Sequence, residues 1–181
     1  MKYVRIMYRV RQFWRTITAK PDPLELEEAL ALLTPSQAVL FSSLQPGEQY
    51  HALEMVHKLV DQGESQPDLL VAALLHDVGK LRYKMNPLER AVVVLVRRLS
   101  PETARQWGSP PSKGWESLPG WRKPFVVAEQ HDTWGAEMAH QAGVSPMAED
   151  LIRRHHQQPA EATGGIENAL LYKLWVVDNE S

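Results

Sequence analysis

Leu74-Leu75-His76-Asp77-Val78-Gly79-Lys80 sets a neighbouring histidine and aspartate at the end of an apolar run, with a glycine and a lysine behind them. Upstream, Pro67 opens a helix on which Leu69, Leu70, Ala73 and Leu74 are buried by pattern. Successive side chains on a helix diverge by about 100°. A His-Asp pair in that position has two readings. The histidine can complement the negative end of the helix dipole while the aspartate caps the next turn. Alternatively, the two offer ligands to cations on either side of the carboxylate. The second reading requires further ligands from other parts of the chain.

Toward the N-terminus, Glu48 to Gln62 reads as a helix with Leu53, Val56, Leu59 and Val60 inward and Gly63 as its stop. Gln45-Pro46-Gly47 reads as the turn before it. His51 and His57 lie roughly 240° apart around this helix, so at most one of them faces a given site. Thr34-Pro35 opens a helix to about Leu44 with a cap and an N1 proline, and Leu24–Leu33 is helical by composition. Residues 3–18 repeat Tyr3, Ile6, Val10, Phe13 and Ile17 on one apolar stripe flanked by arginines, and Pro21 and Pro23 end the segment.

Toward the C-terminus, helices are expected from Asn86-Pro87 to Leu99, from Ser100-Pro101 toward Trp107, and from Pro124 through His131. Thr133 to Gln141 continues the last of these or follows it as a separate helix. Ser145-Pro146 starts a helix ending at His155-His156, and Ile166–Val177 is the last, with Leu170, Leu171, Leu174 and Trp175 inward. Residues 108–121, rich in Gly, Pro, Ser and Trp, read as an irregular loop or lid. No strand alternation of useful length and no internal repeat is present. The expected fold is all-α, a compact multi-helix body.

The 181 residues, 44% hydrophobic and 23% charged, suit one soluble globular domain with a real core. There is no cysteine, which excludes disulfides and thiolate metal sites and fits a cytoplasmic protein. The longest apolar run, Ala91 to Val96, is far short of a membrane span, and the start of the chain lacks a secretory core. The net charge of −2 is unevenly spread, since residues 1–20 carry six basic groups and no acid. We divide the chain into this basic amphipathic helix, 1–20, and a single helical domain, 21–181. The arm is expected to pack on the domain, with weak contact to a membrane surface as the sharper alternative. No obligate nucleic-acid partner is implied.

Five of the seven histidines, His51, His76, His131, His155 and His156, lie at helix ends or on plausible inner faces, and Asp77 and Asp178 join them. His57 and His140 read as structural. His51, then His76-Asp77, then Asp178 match the four-point signature of the HD-domain phosphohydrolases, which this chain resembles. His131 through Glu137 is similar to a further histidine-containing segment of the binuclear members, and His155-His156 stands where those members carry their next histidines. The resemblance covers roughly residues 48–178.

The resemblance implies an HD fold and a divalent metal site of one or two ions. His51, His76, Asp77 and Asp178 would hold the first, and Asp77, His131 and His155 or His156 the second. Imidazole and carboxylate ligands without thiolate favour Fe, Mn, Co or Ni, with Zn or Mg less comfortable. Asp77 and Lys80 are the implied catalytic residues, Lys80 near the substrate phosphate. The implied reaction is hydrolysis of a phosphate ester, a nucleotide above all, by metal-activated water. The contrasting reading is a non-enzymatic module of the same fold that senses a nucleotide or captures a partner. Two features depart from the cyclic-dinucleotide phosphodiesterase branch. Gly47 stands where that branch has an acid, with Glu48 one residue off, and its Gly-Tyr-Pro stretch is replaced by Gln157-Gln158-Pro159. Trp107, Trp115 and Trp121 are expected to cover the core rather than line a substrate pocket.

Overall fold

A computed structural model of the chain describes residues 20–159 and 165–180. The expected helix over 3–18 lies outside them. The described residues form nine α-helices and no strand: α1 (Pro23–Ala31), α2 (Pro35–Ser43), α3 (Pro46–Asp61), α4 (Pro67–Leu75), α5 (Pro87–Leu99), α6 (Pro101–Gly108), α7 (Lys123–Gln141), α8 (Pro146–Arg154) and α9 (Ile166–Glu180). Short 3₁₀ turns occupy Val78–Arg82, Trp115–Ser117 and Gly120–Arg122. The all-α expectation holds.

Proline sets the punctuation. Each of the first eight helices carries one in its first turn, where its missing N–H has no intrahelical role and its fixed φ is already helical. Side-chain caps meet other orphan donors. Asn86 Oδ1 accepts from the Glu89 N–H at 3.0 Å while Glu89 Oε2 accepts from the Asn86 N–H at 2.8 Å. Ser145 Oγ accepts from the Ala148 N–H and donates to Asp68 Oδ1 at 2.6 Å, tying the start of α8 to the start of α4.

Several boundaries differ from expectation. Pro46 opens α3 rather than belonging to a turn before it, because Gln45 is an N-cap whose N–H is accepted by Glu48. Val60 is 52% exposed, so the inward face of α3 is Ala52, Leu53, Met55, Val56 and Leu59. Of the two readings left open after His131, the continuous one holds. The helix runs unbroken through Gly135 to Gln141. α9 extends three residues past Val177, and Trp175 is half-buried while Val177 is fully buried. The stretch 108–121 contains two 3₁₀ turns rather than only irregular chain.

The main core gathers side chains from α1 to α4 with Ala136 and Ala139 of α7, Leu151 and Ile152 of α8, and Leu170, Leu171, Leu174 and Val177 of α9. A smaller cluster of Met85, Val93, Phe125, Val127 and Ala128 packs under Tyr83, Trp107, Trp115 and Trp134. The N-terminal half of α7 therefore belongs to one cluster and its C-terminal half to the other. His131 lies between them.

Candidate metal centre

α4 is a continuous apolar helix until Leu75, where His76 caps it at φ −55°, ψ −32°. Asp77 then turns to φ −97°, ψ 2° and leads into the 3₁₀ turn Val78–Arg82. Residues i and i+3 nearly eclipse in such a turn, which puts Lys80 over Asp77. Its Nζ lies 2.5 Å from Asp77 Oδ2. The reach of Lys80 thus comes from the tightened turn.

Gly79 holds this turn against α7. A Cβ built on it would sit 2.0 Å from the His131 carbonyl oxygen and 2.7 Å from the Gly135 N. Only a residue without a side chain allows that approach. One on Gly135 would in turn lie 3.2 Å from the Gly79 N and 3.3 Å from the His76 carbonyl oxygen. The two glycines are the crossing point that brings Asp77 to His131.

The expected residues converge. His51 Nε2 is 3.0 Å from Asp178 Oδ1, and His76 Nε2 is 3.8 Å from that oxygen and 3.5 Å from Asp77 Oδ2. The other oxygen of Asp77, Oδ1, is 3.3 Å from His131 Nε2. His51, His76 and Asp77 form one trio able to hold a cation, their ligand atoms within 4.8 Å of one another, and His131, His155 and His156 form a second. Asp77 presents one oxygen toward each. His57 lies 3.9 Å from Glu25 and His140 2.8 Å from Glu149, both outside the cluster, as their phase on the helices implied.

The three most buried imidazoles are held alike. Nδ1 of His76 donates to the Ala73 carbonyl at 2.9 Å, that of His131 to Val127 at 3.0 Å, and that of His155 to Ile152 at 2.7 Å. Each bond uses the carbonyl one turn back, and each turns Nε2 inward toward the cluster. Among the described residues, Nε2 of His131 and of His155 are buried without a hydrogen-bond partner. Such an orphan costs about 1–3 kcal/mol. Two of them beside an ionised carboxylate fit a cation far better than they fit an apolar interior.

A family model described as HD domain matches residues 49–175. The chain belongs to the HD-domain family. No individually curated protein and no solved structure gives a significant match. HD-domain proteins form a superfamily of metal-dependent phosphohydrolases, and the matched span includes every histidine of the cluster but ends before Asp178. That aspartate is held in place by its helix. Leu170, Leu171, Leu174 and Val177 are buried on α9, each contributing about 1.5–3 kcal/mol by burial, and Lys173 pairs with Glu64 of the loop after α3.

The electrostatics of the HD centre divide along the same line. Burial lowers the His76 pKa, but Asp77 and Asp178 outweigh it and raise the value to about 9. Burial pushes the Asp77 carboxyl up, whereas the Lys80 ammonium and His76 hold it well below the usual carboxylate range. Asp178 is lowered as well, the hydrogen bond from His51 overcoming burial. His155 is held well below the usual imidazole range, first by burial and then by His76 and His156. His156 is lowered to about 4 by burial and by His131. At neutral pH the His155–His156 side offers neutral ligands. The carboxylate side pulls positive charge onto a buried imidazole, as it would pull a metal ion.

Two residues beyond the expected set line the cavity at this cluster. Its volume is about 150 Å³, and its walls are Glu48, His51, Asp77, Lys80, Arg90, His156 and Asp178. Glu48 stands three residues before His51, on the same helix face, a signal the sequence contained. Arg90 carried none, because only the fold brings its side chain within reach of Gln45 and Glu48 at the start of α3. Trp107, Trp115 and Trp121 are absent from this lining. Trp107 stacks edge-on with Phe125 and Trp121, and Trp115 with Tyr83 and Trp134, so they cover the smaller core.

Proposed function

We propose that this chain hydrolyses a small phosphate ester, with a nucleotide as the first class to test, at a centre of one or two divalent ions. The observation that carries the reading is the pair of orphaned, buried Nε2 atoms on His131 and His155, set around a carboxylate whose two oxygens face two separate ligand groups. His51, His76, Asp77 and Asp178 would hold the first ion. Asp77 as bridge, with His131, His155 and His156, would hold the second. The donors suit Fe, Mn, Co or Ni, with Zn or Mg as weaker fits. When bound, the metal supplies Lewis acidity toward phosphoryl oxygen and lowers the pKa of water.

The protein's own groups do the rest. The Nδ1 bonds to Ala73, Val127 and Ile152 fix ring orientation and tautomer, so the ligands need little rearrangement on binding. The Lys80 ammonium neutralises Asp77. Once a cation shares that charge, Lys80 is free to meet an oxygen of the phosphoryl group as it gains charge. His156, more open to solvent than His155, stands at the wall of the cavity where water and product exchange. We further propose that residues 21–181 form one domain and that residues 1–20 are an accessory helix, whether docked on it or in weak contact with a membrane surface. Among the described residues no helix is long and apolar enough to cross a membrane.

The test is Asp77→Ala in protein purified without chelator, assayed for metal and for hydrolysis of p-nitrophenyl phosphate and nucleoside phosphates. Loss of both metal and turnover is expected. Full metal occupancy and full activity in the variant would refute the reading. Metal retention by the wild type without turnover of any ester would favour a sensing or partner-binding module.

A further inference from the structure

Arg90 and Glu48 form a largely buried ion pair on the wall of the cavity that also exposes the proposed metal ligands. Arg90 Nη2 lies 2.5 Å from Glu48 Oε1 and also donates to the side-chain carbonyl of Gln45. Its Nε points at the Met85 carbonyl, at the 3.5 Å limit of a hydrogen bond. Nη1 has no partner among the described residues. Glu48 is held almost as firmly, since its second oxygen accepts from the Gln45 N–H at 3.3 Å. Its side chain is only 4% exposed and that of Arg90 17%.

A buried pair of this kind adds little net stability, because its desolvation offsets its attraction and well-packed apolar residues often do as well. Its retention on a cavity wall calls for another reason. The guanidinium is a rigid fork, suited to two oxygens of one phosphate. Gln45 and Glu48 hold it from behind, which removes much of the entropy a free arginine would lose on binding. On the same wall Lys80 supplies a second cation.

Three carboxylates (Glu48, Asp77, Asp178) oppose these two cations. The wall without metal is thus net negative and unreceptive to phosphate, and one divalent ion reverses its sign. Among the described residues no aliphatic, Phe, Tyr or Trp side chain lines the cavity. At about 150 Å³ it is smaller than the roughly 300–1,000 Å³ of pockets that enclose drug-sized ligands. It has room and chemistry for a phosphoryl group, not for a base.

We propose that Arg90 is the substrate-phosphate clamp of this site, that Glu48 is its positioning residue, and that the site takes the terminal dianionic phosphate of a monoester with the remainder of the substrate outside. The proposal rests on the phosphohydrolase reading above and adds the substrate class. Two fixed cations in addition to the metal match the two charges of a monoester, whereas a diester carries one charge and two substituents that must both be fitted.

The experiment titrates inorganic phosphate calorimetrically into Mn²⁺-loaded full-length protein, wild type against Arg90→Gln, Arg90→Lys and Glu48→Gln, with metal content measured on each. KM and kcat are then compared for p-nitrophenyl phosphate and bis-p-nitrophenyl phosphate. Arg90→Gln is expected to keep wild-type metal content, to bind phosphate about tenfold or more weakly, and to raise KM for the monoester more than it lowers kcat. Arg90→Lys, which keeps the charge without the fork, recovers part of the loss. Glu48→Gln, which loosens the guanidinium without removing it, falls between Arg90→Gln and wild type. Unchanged phosphate affinity in Arg90→Gln, loss of its metal, or a wild-type preference for the diester would each overturn the proposal. Should Arg90→Gln fail to fold, Arg90→Lys and Glu48→Gln carry the same comparison. If wild type hydrolyses neither of these esters nor any nucleoside phosphate, the phosphohydrolase reading falls, and the phosphate titration still decides the role of Arg90.

Discussion

Replacing Gly79 with alanine tests how the two halves of the centre are brought together. Gly79 does not have a positive φ, and alanine can adopt its backbone conformation, so the effect is steric. The added Cβ meets the His131 oxygen at 2.0 Å, whereas ordinary contact begins near 3.4 Å. The 3₁₀ turn and α7 must therefore part by roughly an ångström or more, and all three colliding atoms are backbone, with no rotamer to absorb the strain. Overpacking of this kind costs about 1–3 kcal/mol, occasionally more, and the absence of any flexible neighbour puts Gly79→Ala at the top of that range. For a domain of this size about 3 kcal/mol corresponds to a fall in Tm of roughly 6–12 °C. The same displacement draws Asp77 away from His131, now 3.3 Å apart, so metal affinity should fall as well. Gly143→Ala is the control. Gly143 has φ 77° with nothing within 4 Å of its Cβ position, so it should cost about 1–2 kcal/mol from backbone strain alone and leave metal binding intact. Urea unfolding and metal titration of both variants decide the matter. A Gly79→Ala protein within about 0.5 kcal/mol of wild type, with unchanged metal affinity, would show that the crossing of the turn over α7 is wrongly described.

Leu174→Ala removes a fully buried side chain from α9 and should cost about 2–5 kcal/mol in urea unfolding. It should also weaken metal binding, because the same helix positions Asp178; destabilisation with unaltered metal affinity would place Asp178 outside the centre. Chelated protein should be most stable near pH 6.5, by thermal unfolding across a pH series. His76, raised to about 9 when folded, contributes stability that is complete below its unfolded value near 6.5 and lost as pH rises through 9. His156, lowered to about 4, and His155, lowered further, destabilise the fold as pH drops from 6.5, because the unfolded chain takes up their protons first. The lowered Asp77 and Asp178 contribute stability that is present above their unfolded value near 3.8 and lost in stronger acid. A flat profile between pH 5 and 9 would contradict these assignments.

Much of this architecture was legible from the chain because its signals are local. Proline after a capping residue marks the starts of α2, α5, α6 and α8, and apolar periodicity picks out the buried faces of α4 and α9. The phase of His57 and His140 correctly separates them from the cluster. The readings that failed depended on tertiary contact. Gly135 leaves two readings open, a helix break or a close backbone approach, and only the fold decides for the second, since the helix is continuous and the Gly79 backbone crosses it. Val60 fits the apolar stripe of α3 but lies beyond the neighbouring helices. Arg90 looks like any arginine on an amphipathic helix until its guanidinium is seen to reach Gln45 and Glu48 at the start of α3. Glu48 falls between the two cases. Its spacing from His51 put it on the right face, and only the fold shows that its carboxylate is turned to Arg90.

The central claim is that the imidazoles of four helix ends and faces meet around Asp77 to hold metal. Elemental analysis of protein purified without chelator, alongside a His131→Ala, His155→Ala double variant, tests it most directly. The account predicts one or two transition-metal ions per wild-type chain and fewer in the variant. Wild-type protein that carries no metal, and takes up none from added Mn²⁺, Fe²⁺, Co²⁺ or Ni²⁺, would contradict it.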